Sequence, residues 1–167
     1  MKKTALAVCL LMGLALTSVR AESTLGLGLR GFRAVDSLPH QFQRSGLGGY
    51  VNWRSQWTDL VSGQLELALY EDGFAGTTEE ALAPQAFLLL GRGLYAGAGV
   101  GVLFADGDFA DSPFLTLRAG YQVALAEWIS LDLNVSYEFG EWKGVNVFDP
   151  SVESDTVAIG AGVRILF

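Results

Sequence analysis

The chain has 167 residues, half of them apolar, with 11 Lys and Arg against 18 Asp and Glu and a net charge of −7. A single cysteine and a single histidine exclude a disulfide framework and leave little for a Cys/His metal site. The acidic balance argues against nucleic acid as a partner, because phosphate binding needs clustered cations.

Lys2 and Lys3 precede an apolar run from Ala5 to Leu16, and Val19-Arg20-Ala21 sets small residues three and one positions before a cut. This is the layout of a secretory signal peptide, too short to span a bilayer as a stable helix. Its expected removal as residues 1–21 takes away Lys2, Lys3, Cys9 and Arg20, leaving one domain, Glu22 to Phe167, with no cysteine and a charge of −10. No segment of that domain offers the roughly 18 consecutive apolar residues of a membrane helix. Any membrane crossing must use strands.

Period-2 runs bounded by turn residues predict eight strands: Thr24–Val35, Gly46–Ser55, Ser62–Glu71, Pro84–Gly91, Leu94–Ala105, Pro113–Ala124, Ser130–Glu141 and Thr156–Phe167. The gaps, 36–45, 56–61, 72–83, 92–93, 106–112, 125–129 and 142–155, alternate between longer and shorter. An up-and-down membrane barrel has short turns on one side and long loops on the other, and an even strand number sets both chain ends beside the short turns. The predicted fold is therefore all-β, an eight-stranded antiparallel up-and-down transmembrane β-barrel behind a cleaved signal peptide.

Composition decides which face is inside. In the third strand Leu65, Leu67 and Leu69 oppose Gln64, Glu66 and Ala68; in the seventh Leu131, Leu133 and Val135 oppose Asp132, Asn134 and Ser136. The same face carries Gly26, Gly28 and Arg30 in the first strand and Gly97, Gly99 and Gly101 in the fifth, so over the strands it is rich in glycine with one or two charges each and no lysine, which suits a crowded interior better than a solvated surface. A soluble barrel with an apolar interior is the competing arrangement. Trp53, Trp57 and Trp128 beside the short turns, with Trp142, Phe104 and Phe139 toward the long loops, fit two aromatic girdles. Phe87-Leu88-Leu89-Leu90 is continuous rather than alternating, so either its inward residues are apolar or the register differs.

The inward set holds Arg30, Arg54, Arg118 and Arg164 against Glu66, Asp132 and Glu138. Eight strands enclose only enough room for side chains, so these groups must pair. A salt-bridged plug is the expected outcome, with a gated polar path as the alternative. Gly97, Gly99 and Gly101 either leave lumen space or let large neighbours such as Tyr95 and Tyr50 fill it.

His40 stands in the first long loop with no carboxylate nearer in sequence than Asp36, which gives catalysis no geometry. The lipid A palmitoyltransferase and lipid A deacylase families resemble this chain in size. However, the deacylase His-x-Ser pattern is missing, as is the helix that precedes the transferase barrel, so no enzyme activity and no cofactor are expected. The long loops and rims are acidic, with Arg44 and Lys143 as their cations; Asp106-Gly107-Asp108 followed by Asp111 is a weak candidate for a hard cation.

Gly162, Ile165 and Phe167, spaced as Gly-x-x-hydrophobic-x-aromatic, resemble the carboxy-terminal assembly signal of bacterial outer-membrane barrels. With the Gly-rich run Leu94 to Gly101 and the eight amphipathic strands, the mature chain resembles the small outer-membrane barrels of the opacity, OmpX and OmpA-barrel type. That resemblance implies a Gram-negative outer-membrane location with periplasmic termini and insertion by the barrel-assembly machinery. It also implies contact with outer-membrane lipid and lipopolysaccharide, and a monomer. The expected role is structural or surface-interacting, through acidic extracellular loops over a filled lumen. A narrow porin-like channel or carrier for small or hydrophobic solutes, as in the similar OmpW family, is the alternative.

Overall fold

The computed structural model describes residues 22–35, 45–72, 74, 80–105, 107–110, 113–139 and 155–167, with only the backbone at 108. Its strands are β1 (Ser23–Ala34), β2 (Ser45–Gln56), β3 (Val61–Tyr70), β4 (Ala81–Gly91), β5 (Leu94–Gly101), β6 (Phe104–Ala105), β7 (Asp108–Phe109), β8 (Phe114–Ala126), β9 (Ile129–Phe139) and β10 (Thr156–Leu166). Every pairing is antiparallel, and each of the eight long strands pairs with the next in the chain, β5 passing to β8. Thr24 opposite Leu166 and Leu25 opposite Ile165 close β10 onto β1, so the eight walls form a barrel with no free edge.

Strict alternation puts one face of each wall strand in the lumen and the other outside. Leu27 and Leu29 on β1, Leu94 on β5 and Ile159 on β10 are each more than 65% exposed, while Arg30, Tyr95 and Ala158 on the same strands are at most 2% exposed. A continuous apolar exterior around a polar interior is the arrangement of a membrane-spanning barrel. The long strands are joined by 10, 4, 10, 2, 12, 2 and 16 residues in turn, so the alternation of long and short connections is present. Trp57 and Trp128 are exposed by the short turns; Phe109 and Phe139 are exposed toward the other end. Trp142 lies outside the described residues, as does the 1–21 segment.

The continuous run from Phe87 to Leu90 resolves in favour of apolar inward residues. Phe87 and Leu89 point into the lumen and Leu88 and Leu90 point out. The strand also begins at Ala81 rather than Pro84, with Ala81 and Ala83 fully buried. Pro84 leaves a mark on its neighbour: Val102 N donates to Pro84 O at 3.1 Å, but proline has no N–H to return the bond. The predicted fifth strand is accordingly interrupted at Val102 and Leu103, and β6 resumes against β4 with Leu82 opposite Phe104. Residues predicted as the start of a loop instead extend the wall as a hairpin, β6 pairing β7, with Gly107 in its turn at a φ of 83°.

Candidate functional site

All seven predicted lumen charges point inward and are buried, none more than 6% exposed. They fall into two clusters. In the first, Glu66 on β3 receives Arg118 from β8 in a bidentate pair, Nη1 to Oε2 at 2.7 Å and Nη2 to Oε1 at 2.9 Å. Arg30 from β1 donates Nη2 to the same Oε1. Asn52 and Gln64 amides donate to Oε2 at 3.2 and 3.0 Å, so two guanidiniums and two amides converge on one carboxylate. Arg118 Nε donates to Ser136 Oγ at 2.8 Å. Glu138 is more distant, 3.8 Å from Arg30, and accepts the Tyr70 hydroxyl at 2.9 Å.

The second cluster centres on Asp132 of β9. Its Oδ2 accepts Arg164 Nε at 2.7 Å and Arg54 Nη2 at 3.3 Å, and its Oδ1 accepts Tyr95 Oη at 2.8 Å and Asn134 Nδ2 at 3.1 Å. Gln64 joins the two clusters. Its amide nitrogen goes to Glu66, while its oxygen accepts from Arg54 Nε at 2.9 Å and Arg164 Nη2 at 2.7 Å. Aromatic faces cover the cations, with Arg30 4.8 Å from the Tyr50 centroid, Arg54 4.2 Å from Tyr95 and Arg118 4.0 Å from Phe87.

The inward glycines hold no open space. An added Cβ would lie 2.4 Å from the Tyr50 ring at Gly28 and equally close to the Tyr95 ring at Gly120. The glycines of β5 take other residues: Phe87 fills the space at Gly99 and Phe114 that at Gly101, while Gly97 faces the Leu88 backbone.

An apolar layer closes the lumen toward the long loops. Phe74, between β3 and β4, is 2% exposed; it stacks on Tyr70 at 4.0 Å and meets Phe32 edge-on at 4.9 Å. Leu103, Phe114 and the alanines of β4 complete the layer. Toward the short turns the lumen opens as a recess of about 270 Å³ with a mixed lining, among it Thr24, Gln56, Ile129, Ser130 and Leu166, that reaches Arg54 and Gln122.

The face of each charge was visible in the alternation of the sequence. Its partner was not, nor was the role of Gln64, Tyr70 or Phe74. Arg33 was also missed: an exposed guanidinium at the long-loop end of β1 on the lipid-facing side, visible only as a charge ending the series Leu25, Leu27, Leu29. The assembly residues Gly162 and Ile165 lie in β10, Gly162 inward and Ile165 outward, and Phe167 follows with its N–H on Ser23 O at 3.1 Å. His40, Asp106 and Asp111 lie outside the described residues, and of Asp108 only the backbone in β7 is described.

No family model matches the sequence and no curated protein matches it. Solved structures do resemble the fold. Neisserial surface protein A is 18% identical with a TM-score of 0.62, covering 87% of this chain and 97% of that one. Ail, the attachment invasion locus protein of Yersinia pestis, crystallised with the heparin analogue sucrose octasulfate, is 15% identical at a TM-score of 0.56, with coverages of 89% and 100%. The outer membrane protein OprG of Pseudomonas aeruginosa is 14% identical at 0.56, with coverages of 88% and 96%. The chain has the fold of the small eight-stranded bacterial outer-membrane barrels.

Proposed function

We propose that the protein is a structural or surface-interaction component of a Gram-negative outer membrane, with its termini and short turns in the periplasm and its acidic long loops outside. It is inserted by the barrel-assembly machinery after loss of residues 1–21, works as a monomer and is not an enzyme. The observation that carries this reading is the lumen, where Glu66 and Asp132 gather four guanidiniums under an apolar layer and side chains occupy the cross-section. A filled lumen whose four cations and three anions nearly balance makes a rigid stave-built post and leaves the loops to meet other molecules.

The sulfated ligand of Ail does not transfer to the acidic long loops, because a mature chain of net charge −10 repels a polyanion. Cationic surfaces, or anionic ones bridged by divalent ions, are the partners that fit these loops. Reconstitution in planar bilayers tests the closed lumen. The expected record is flat with the wild-type protein, and unitary conductance steps overturn the reading in favour of the narrow channel or carrier.

A further inference from the structure

The outer wall formed by β10, β1 and β2 carries a shallow apolar hollow of about 550 Å³. Leu27, Leu29, Val51, Leu69 and Val163 flank it, and Gly49 and Ala161 lie in its floor. A Cβ on Gly49 would meet only a backbone oxygen at 3.6 Å, and one on Gly31, next outward on β1, would meet nothing within 4 Å. Bare backbone therefore continues from the hollow toward the long-loop rim. Arg33 stands at that rim on the same face, opposite Ser45 and Val157, exposed and with no ion-pair partner among the described residues.

Charge on the lipid-facing side is costly at the midplane and nearly free at the interface, where phosphate oxygens suit a guanidinium fork. Leu27 and Arg33 are six positions apart. At the usual rise and tilt that separation is about 20 Å along the strand and about 15 Å of depth, roughly one leaflet. Two carboxylates border this rim, Glu71 beyond β3, which accepts Leu47 N at 3.1 Å, and Asp155 before β10, which accepts the Tyr137 hydroxyl, so a headgroup phosphate has Arg33 as its cation between two carboxylates already engaged by donors.

We propose that this wall holds one phosphorylated lipid of the outer leaflet, with an acyl chain in the hollow and a headgroup phosphate on Arg33. The assignment of the leaflet rests on the orientation proposed above. The test uses the mature protein in phosphatidylcholine nanodiscs doped with purified diphosphoryl lipid A, with bound lipid counted by native mass spectrometry. Wild-type protein is expected to retain one lipid A in preference to phosphatidylcholine, and Arg33→Gln to lower that retention about tenfold, the loss of one charge-assisted contact. Gly49→Leu and, independently, Ala161→Leu fill the hollow and should lower it with Arg33 intact, so a folding failure in one leaves the other. Undiminished retention in Arg33→Gln overturns the proposal, as does finding a second copy of the chain on this face in place of lipid. Conductance is read separately, so a leaking barrel that keeps its lipid counts against the filled lumen and not against this site.

Discussion

Glu66 is the residue on which the interior depends most. It accepts both Arg30 and Arg118, and neither guanidinium has another carboxylate as near, Arg30 lying 3.8 Å from Glu138. Removing one partner of a buried ion pair leaves an uncompensated charge, so Glu66→Ala should cost about 3–5 kcal/mol in urea unfolding of the folded barrel. Glu138→Gln keeps an acceptor for Tyr70 and should cost about 1 kcal/mol. A larger loss at Glu138 would mean that the apolar layer, rather than the shared carboxylate, fixes the lumen. Glycine acts at the same scale by subtraction: Gly28 and Gly162 let the Tyr50 ring lie against the wall, where its hydroxyl accepts from Asn134 at 3.3 Å.

Among the elements, the seam between β10 and β1 joins the two ends of the chain. Phe167 extends it with a hydrogen bond to Ser23 and a largely exposed ring at the short-turn end. Deleting Phe167 should lower the amount of folded barrel in the outer membrane more than shortening a long loop does, by heat-modifiable gel mobility; equal levels would contradict that. Strand period made the eight walls, their faces and the parity of their connections readable before any coordinates. Heights were not readable, because alternation reports which side a residue takes and says nothing of the stagger between strands. That is why the sequence puts Arg118 and Glu66, 52 positions apart, in one lumen without revealing the bond between them. It is also why the interruption at Val102 was missed, since it follows from Pro84 standing opposite on another strand.

At the scale of the whole molecule the lumen is layered, with an apolar layer toward the long loops and two linked charge clusters beneath it. Phe74→Ala should therefore remove the ring that stacks on Tyr70 and still give silent planar bilayers, because the Arg30, Glu66 and Arg118 layer below remains packed. Conductance in that single variant would make Phe74 a gate. The layering also constrains how such a chain can enter a bilayer. Glu66 on β3 takes its cations from β1 and β8, and Asp132 on β9 takes its own from β2 and β10. A β3–β4 hairpin crossing alone would carry Glu66 into hydrocarbon with no guanidinium beside it. Piecemeal insertion thus passes through states with naked charge, whereas a nearly closed sheet does not. The barrel should gather at the membrane surface first and cross late, in one slow cooperative step whose rate reflects the long sequence separations of its ion pairs.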